Sequence, residues 1–311
     1  MLNRTDDYYS RAGDSLGWEL TVCNALYPED SPCRKILERD DTYGNLLYDY
    51  LGRFIPMGRI VRIIEIGGGY GYLMKDFLKK SPRMKVTMLD IAPHLSAKQR
   101  ISLKGWSMDY ILEDFMMTEI SCLGGMDMAV LNENLGDFPT AVGIPAEIFE
   151  VEIDNLEGPL KKVLHLFEKY DFDQPETRAF NMNVGAIEAV EKLCLAGIPY
   201  IFLSEHSCEA SIPEDLQGLI YIESTGCPEK ISLKGHNEYT IKFSYLERVA
   251  QTFHYRMVRG PFADFLEPRF DDRLRHMLAL RSVQDGSIET IRQFLEDLYK
   301  YEYLILLKED E

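Results

Sequence analysis

A run of closely spaced glycines constrains the fold of this chain more than any other feature. Residues 63–78 read IIEIGGGYGYLMKDFL, and four of the five residues from 67 to 71 are glycine. The apolar run before the glycines predicts a strand, the pattern after them predicts a helix, and KVTMLD at residues 85–90 predicts a second strand. A strand, a tight turn, a helix and a strand within about thirty residues form a βαβ unit, which predicts a parallel sheet.

The same alternation of strand and helix patterns continues along the chain. Further strands are predicted in MDYILED, MDMAVLNEN, IPYIFLSEH, HYRMVRG and YEYLILLK. Helical patterns separate them, including a long stretch from about 264 to 282 and a helix in SIETIRQFLEDLYK. This order predicts an α/β protein with a doubly wound, mostly parallel, seven-stranded sheet rather than an array of repeats.

The pattern divides the chain into four parts. An N-terminal extension covers residues 1–45, and residues 46–145 form the first half of the sheet domain. Residues 146–182 are predicted to be a helical, acidic insertion or lid, because residues 147–176 hold nine acidic residues and three lysines. A solvated helical hairpin is the alternative for this segment. Residues 183–311 complete the sheet domain.

Three nucleotide-binding patterns compete for the glycine turn. A P-loop ends in Gly-Lys-Ser or Gly-Lys-Thr, and no such sequence follows these glycines. The dinucleotide fingerprint requires a third glycine at position 72, which is Tyr72 here. The pattern E/D-x-G-x-G-x-G, with which class I methyltransferases bind S-adenosylmethionine (SAM), matches at Glu65, Gly67, Gly69 and Gly71. The turn therefore predicts SAM as the cofactor and a Rossmann-like sheet.

The strands after the glycine turn supply further candidate contacts to SAM. Asp90 ends the second predicted strand, 23 residues after Gly67 (90 − 67), where an acidic residue accepts hydrogen bonds from ribose hydroxyls. Asp114, or Glu113 if the register differs by one residue, follows the third strand and is a candidate contact to adenine. The predicted set also includes their neighbours Gly68, Tyr70, Ile91 and Phe115, and Asn132 at the end of the fourth strand.

The net charge of the chain disfavours some classes of binding partner. It has 34 basic and 51 acidic residues, a formal charge of −17, which would oppose binding to nucleic acid or to an anionic membrane. A protein or small-molecule acceptor suits this charge, and a basic acceptor suits it best. The chain has no apolar signal region and no membrane-length apolar stretch, and its six cysteines form no C-x-x-C pair. These features predict free thiols, no metal site and a cytoplasmic location.

Four segments carry a resemblance to a known family. EIGGGYGYLM at residues 65–74 is similar to EIGPGRGTLM, and NENLGDFP at residues 132–139 is similar to NEFFDALP. LERDDTYGNLL at 37–47 and EYTIKFSYLERVA at 238–250 are similar to PEISPLFGELL and DITAHVDFTALA. The second sequence of each pair belongs to the MidA-like SAM-dependent methyltransferases, whose mitochondrial members methylate arginine during assembly of respiratory complex I. The resemblance implies a class I methyltransferase fold and a protein acceptor, with arginine as the candidate side chain.

The residues that follow the fourth and fifth strands are the candidates for catalysis. Asn132 and Glu133 follow the apolar run MAVL, and a carboxylate in this place would orient an amine or a guanidinium. The alternative is that Glu133 caps a turn. His206 follows YIFL and is a candidate general base, or else a hydrogen-bonded loop residue. A small-molecule methyltransferase and a catalytically silent SAM-binding assembly factor remain open as other functions.

Overall fold

A sheet of seven strands forms the centre of the computed structural model, which describes residues 1–11, 21–279 and 286–309. The strands are β1 (Arg62–Ile66), β2 (Lys85–Asp90), β3 (Met108–Leu112), β4 (Met128–Asn132), β5 (Tyr200–His206), β6 (Tyr255–Pro261) and β7 (Tyr301–Lys308). The longer helices are α1 (Tyr43–Leu51), α2 (Tyr72–Lys80), α3 (Pro93–Ser102), α4 (Gly158–Tyr170), α5 (Val184–Leu195), α6 (Phe243–Thr252), α7 (Asp272–Ala279) and α8 (Gly286–Lys300). No described helix combines the length and the apolarity that a membrane span requires.

The order of the strands across the sheet is β6-β7-β5-β4-β1-β2-β3. β5, β4, β1, β2 and β3 run parallel to one another, whereas β7 is antiparallel to both β5 and β6. Strand order reverses between β1 and β4, and ligands of open α/β sheets bind at the carboxyl ends of the strands near such a reversal. The predicted doubly wound, mostly parallel sheet is confirmed.

Two apolar layers cover the faces of the sheet. Successive residues of β1 alternate between them, since Ile63 packs in one hydrophobic cluster and Ile64 in the other. The first cluster includes Phe77 of α2 and Leu298 of α8, and the second includes Leu246 of α6. A strand that is covered on both faces needs apolar residues at successive positions, which explains the continuous apolar runs of the sequence.

The prediction of one continuous helix from about 264 to 282 is wrong. A short helix, Ala263–Leu266, ends before Pro268, and α7 begins only at Asp272. Proline lacks the N–H that continues a helix, and the next residue, Arg269, donates its N–H to Ile36 O (2.7 Å). The last three residues of the predicted stretch, 280–282, lie outside the described residues.

The acidic segment 146–182 contains one long helix and an additional strand. Two 3₁₀ turns, Ala146–Glu150 and Ile153–Asn155, lead to α4, and the strand Ala179–Met182 pairs with the strand Thr140–Pro145. α4 buries Phe167 and four other residues in the second hydrophobic cluster. The helix is therefore packed against the body of the protein on its apolar side.

The N-terminal residues lie across the carboxyl edge of the sheet. We call residues 1–11 and 21–27 the N-terminal cover; it contains the short helices Asp6–Ser10 and Val22–Ala25. Thr5 Oγ1 donates a hydrogen bond to Asp137 O (2.7 Å), in the turn that follows β4. The ring of Tyr27 stacks on Tyr72 at the start of α2, with centroids 3.4 Å apart. Both ends of the cover are thus attached to loops at this edge.

Candidate functional site

A large pocket opens at the carboxyl edge of the sheet, beneath the N-terminal cover. Its volume is about 920 Å³, near the upper end of the range of about 300–1,000 Å³ that is typical of ligand sites. The loops that follow β1 to β5, helix α8 and the hairpin formed by Lys230–Ser232 and Asn237–Tyr239 supply its walls. The pocket has room for a cofactor together with the reacting group of an acceptor.

The glycine turn forms the floor of the pocket between β1 and α2. Gly69 has a left-handed backbone (φ 50°), and a Cβ at this residue would contact nothing within 4 Å, so it would project into open space. A Cβ at Gly67 would collide with the side chain of Asn134. Gly71 was predicted to contact the cofactor but does not line the pocket. A Cβ there would lie 3.1 Å from Leu103, so Gly71 allows α2 to pack closely.

Beside the turn, two buried oxygen atoms of residues that line the pocket have no hydrogen-bond partner in the described part of the chain. They are Glu65 Oε2 and Asn134 Oδ1, and both residues line the pocket. Asn134 is fixed by its other amide atom, Nδ2, which donates to Ile66 O (2.6 Å). Burial and the nearby charge of Asp90 raise the pKa of Glu65 well above its ordinary value. Unpaired buried acceptors cost free energy, so this end of the pocket favours a ligand that carries N–H donors.

Asp90 lies at the end of β2 with its carboxylate almost completely buried. Oδ1 accepts a hydrogen bond from Ala92 N (2.9 Å), and Oδ2 accepts one from Gln99 Nε2 (2.7 Å). Each carboxylate oxygen has a second lone pair, so the side chain retains the capacity to accept hydrogen bonds from two hydroxyls. Burial raises the pKa of Asp90 to about 6, although these two hydrogen bonds act in the opposite direction.

The raised pKa of Asp90 predicts a pH dependence of stability. Between its ordinary pKa of 3.8 and its folded value of about 6, the folded protein holds a proton that the unfolded chain releases. Stability relative to Asp90→Asn should therefore fall as the pH rises through this window, by up to about 3 kcal/mol at about 1.4 kcal/mol per pH unit. Urea unfolding of the ligand-free proteins from pH 4 to 8 measures the difference. The exposed Asp109→Asn variant is the control, and parallel curves for wild type and Asp90→Asn would contradict the prediction.

The loop that follows β3 is held in place by a lysine of α5. Lys192 Nζ donates hydrogen bonds to the carbonyl oxygens of Phe115 (2.8 Å), Met116 (2.9 Å) and Thr118 (2.9 Å). Asp114 Oδ1 accepts a hydrogen bond from Met116 N (2.8 Å), which leaves its second oxygen for other partners. Asp114 and Phe115 both line the pocket, so the loop offers a carboxylate and an aromatic ring side by side.

Glu133 connects the end of β4 to the N-terminal cover. Its Oε2 accepts a hydrogen bond from Val22 N (2.9 Å), and its Oε1 accepts from Cys23 N (3.2 Å) and Asn132 Nδ2 (3.1 Å). The carboxylate therefore binds the first two N–H groups of the helix Val22–Ala25, and burial raises its pKa to about 7. The backbone of Glu133 is left-handed (φ 54°), a strained conformation that concentrates at functional sites.

Asn132 is fixed by two hydroxyl groups. Tyr43 OH (2.5 Å) and Ser204 Oγ (3.0 Å) both donate to its Oδ1, while its Nδ2 donates to Glu133. Tyr43 belongs to α1 and is fully buried, and Ser204 lies opposite Asn132 in the neighbouring strand β5. This network holds the end of β4 rigidly against β5. The sequence did not identify Tyr43 or Ser204.

Two carboxylates and a histidine form the wall of the pocket opposite the glycine turn. Glu205 is buried; its Oε2 accepts from Gly136 N (3.1 Å), and its Oε1 accepts from His206 N (2.8 Å). His206 lies between this carboxylate and Asp297, with Nδ1 3.7 Å from Glu205 Oε1 and Nε2 4.0 Å from Asp297 Oδ1. Its ring stacks on Tyr301, with centroids 3.8 Å apart. The fifth strand thus supplies an acid and a histidine to one wall.

The pocket is strongly acidic. Its thirteen carboxylate residues are Asp6, Glu65, Asp90, Glu113, Asp114, Glu133, Asp137, Glu205, Glu223, Glu229, Glu238, Glu296 and Asp297, whereas its Lys and Arg residues are Arg4, Lys230 and Lys300. Two of these three cations are paired, since Arg4 lies 2.8 Å from Asp6 and Lys300 lies 3.7 Å from Glu296. A cleft lined by one sign of charge concentrates ligands of the opposite sign. The pocket therefore favours a cationic ligand.

Most of the predicted site residues converge on this pocket. Those that line it are Glu65, Gly67, Gly68, Gly69, Tyr70, Asp90, Ile91, Glu113, Asp114, Phe115, Asn132, Glu133 and His206. The segment 146–182 contributes no residue to the lining, and the N-terminal cover lies over the pocket instead. Sequence reasoning missed Glu205, although it precedes His206 at the same strand end, and it missed Asn134 and Asp297.

Comparison with known proteins supports the fold. No protein-family model and no curated protein sequence matches the chain. An uncharacterized superfamily protein from Burkholderia thailandensis is 13% identical over 92% of this chain and 86% of its own, with a TM-score of 0.50. A member of the same superfamily from that organism, bound to S-adenosyl-homocysteine, is 13% identical over 86% of this chain and 76% of its own, also with a TM-score of 0.50. The chain therefore has the fold of these proteins, the Rossmann-like class I methyltransferase fold.

Proposed function

We propose that the protein is a SAM-dependent methyltransferase of the MidA-like kind that acts on a basic nitrogen, as in the arginine side chain of a protein. The observation that carries the proposal is one pocket that joins an E-x-G-x-G-x-G turn to a wall of carboxylates. The solved structure with the same fold and bound S-adenosyl-homocysteine supports SAM as the cofactor.

The residues around the glycine turn fit SAM. The unpaired Glu65 Oε2 suits an ammonium group, which has three donors, and Asp90 suits the ribose hydroxyls. Asp114 and Phe115 suit the amino group and the face of adenine, and Tyr70 and Ile91 border the same space. When bound, SAM supplies a methyl group on a sulfonium, and the chain's own residues orient the acceptor and exclude water. Asn132 and Glu133, at the end of β4, are proposed to orient the acceptor.

The charge of the pocket supports a basic acceptor. Glu205, Glu238 and Asp297 line the wall opposite the glycine turn, and no Lys or Arg among the described residues forms an ion pair with Glu205. Carboxylates form strong charge-assisted hydrogen bonds with guanidinium and ammonium groups, which would fix the nitrogen in place. A nucleic acid would be repelled by the same charges.

A small basic molecule is the second candidate acceptor. The N-terminal cover and the hairpin around Leu233 roof the pocket, and cover residues such as Tyr9 and Cys23 line it. A protein acceptor would have to insert one side chain or a chain terminus beneath this roof. A metabolite would fit with less rearrangement, so the roof is the observation that favours this candidate.

Radiolabelled SAM distinguishes these possibilities. The protein is incubated with labelled SAM and a cell lysate, and with arginine-rich and lysine-rich peptides, while calorimetry measures S-adenosylhomocysteine binding. We expect label in protein bands or basic peptides; label in the small-molecule fraction alone would favour the metabolite. Binding without any label would indicate a silent SAM-binding factor, and absence of binding would overturn the proposed function.

A further inference from the structure

The wall formed by β5 and α8 contains a buried acid coupled to a histidine. Glu205 is the second-last residue of β5. It pairs with Glu302 of the antiparallel strand β7. The Glu205 side chain is only 5% exposed, yet it lines the pocket beside Glu133. Its hydrogen-bond partners are two backbone N–H groups, those of Gly136 and His206, rather than a cationic side chain.

The Glu205 carboxylate accepts fewer hydrogen bonds from the protein than the Glu133 carboxylate does. The Glu133 carboxylate accepts three hydrogen bonds, two of which hold the N-terminal cover. The Glu205 carboxylate accepts two, and a carboxylate has about four acceptor positions. Both carboxylates lie where β4 and β5 end, next to each other in the sheet. Of the two, Glu205 has the greater free capacity to accept a proton from an acceptor that reaches this wall.

His206 gives Glu205 a route for a proton. The imidazole lies between Glu205 and Asp297, with one ring nitrogen within 4.0 Å of each carboxylate. Its side chain is 23% exposed, compared with 5% for Glu205. The ring is held by stacking on Tyr301, and Asp297 is held by a hydrogen bond from Gln293 Nε2 (2.8 Å). A buried acid thus lies close to a more exposed imidazole, which in turn lies close to a second acid.

We propose that Glu205 is the base that removes the proton from the acceptor nitrogen, and that His206, positioned by Asp297, carries this proton toward solvent. The inference rests on the proposed function. Methylation replaces one N–H bond by an N–C bond: the nitrogen lone pair forms the new bond, the sulfonium sulfur keeps the electron pair of the broken bond, and the proton goes to Glu205. The nitrogen becomes positively charged as the bond forms, so its N–H becomes acidic enough for a carboxylate to remove.

The electrostatics of the wall agree with this role. Burial raises the pKa of Glu205 to about 7, and the charge of Glu238 adds to this effect, while His206 acts in the opposite direction. Burial lowers the pKa of His206, but Asp297, Glu205 and Glu133 outweigh it, so the net pKa is raised. An acid must be deprotonated to serve as a base. The methylation rate should therefore rise with pH through about 7, near the value at which a general base is most effective.

Glu205→Gln and His206→Gln test the proposal in the full-length protein. We expect Glu205→Gln to lower kcat about 10²-fold or more at pH 8 and to remove the rise of rate with pH. S-adenosylhomocysteine affinity should change less than about threefold, because the glycine turn and Asp90 are untouched. His206→Gln should lower kcat about tenfold, since Glu205 would still take the proton but release it more slowly. Glu289→Gln, the same change at a side chain that is 73% exposed, should behave as wild type.

A nuclear magnetic resonance titration gives a readout that does not depend on activity. The protein has six histidines, and the imidazole signal that disappears in His206→Gln belongs to His206. Loss of the Glu205 charge should lower the pH midpoint of this signal, whereas Glu289→Gln should leave it unchanged. A wild-type rate in Glu205→Gln, or an unchanged His206 midpoint, would overturn the relay while the proposed function stands. Failure of the wild-type protein to bind S-adenosylhomocysteine would instead refute the proposed function, and the His206 midpoint would still decide the coupling.

Discussion

Gly69→Val is expected to reduce S-adenosylhomocysteine affinity by at least about 100-fold while the protein remains folded. The Cβ of the new residue would stand in the open space of the pocket, and the two methyl groups would fill the space above the glycine turn. The left-handed backbone of Gly69 (φ 50°) adds local strain for a branched residue, of order 1–3 kcal/mol. Isothermal calorimetry measures the affinity, and circular dichroism measures the fold.

Gly158→Val is the control that distinguishes the effect of filling the ligand space from the effect of backbone strain. Gly158 is the first residue of α4, has nearly the same backbone angle (φ 56°) and has nothing within 4 Å of its Cβ position, but it does not line the pocket. Both variants should lose a similar amount of thermal stability, and only Gly69→Val should lose binding. Equal affinities for Gly69→Val and wild type would remove SAM from the proposed function.

Glu133→Gln is expected to lower the methylation rate about 10²-fold. The amide retains one oxygen but places an NH₂ group against a backbone N–H of Val22 or Cys23, which loosens the cover above the reacting groups. It also removes a negative charge at the end of β4, where the acceptor is proposed to bind. Affinity for S-adenosylhomocysteine should fall less than about tenfold, because the floor of the pocket is intact. Initial rates with the acceptor found by labelling measure the effect.

Asp127→Asn is the matched control for Glu133→Gln. Asp127 lies just before β4, at the opposite edge of the sheet, and its Oδ2 also accepts hydrogen bonds from two consecutive backbone N–H groups, those of Val61 (2.7 Å) and Arg62 (2.8 Å). Asp127→Asn weakens the same kind of hydrogen bonds to the backbone, and Asp127 does not line the pocket. A comparable loss of rate in both variants, or none in Glu133→Gln, would restrict Glu133 to a structural role.

The sequence predicted the part of the site that depends on local order along the chain. Glu65, Gly69, Asp90 and Asp114 each lie at the end of a parallel strand or in the turn after it, and the ends of adjacent parallel strands meet at one edge. The apolar runs of buried strands gave the positions of these ends. The spacing of these residues in the sequence was therefore sufficient to predict that they lie close together.

Other parts of the site depend on contacts that sequence spacing does not reveal. The pairing of β7 between β5 and β6 joins residues far apart in the chain, and it brings Asp297 and Tyr301 beside His206. The cover has no apolar periodicity, and its position is set by single contacts such as that between Val22 and Glu133. Glu205 lines the pocket together with its neighbour His206, whose backbone N–H donates to Glu205 Oε1, and strand alternation alone does not predict this contact.

The position of β7 has a consequence for the order in which the pocket forms during translation. The end of the pocket that contains the glycine turn is encoded by a nearly continuous stretch up to Asn132, whereas the wall beside His206 requires α8 and Tyr301. At about 5–20 residues per second, a ribosome needs on the order of ten to thirty seconds to pass from Asn132 to Tyr301. Until then, β5 and β6 lack the strand that lies between them. A nascent chain thus completes the glycine-turn end of the pocket well before the wall beside His206, and a stalled ribosome would leave β5 exposed to chaperones or to proteases.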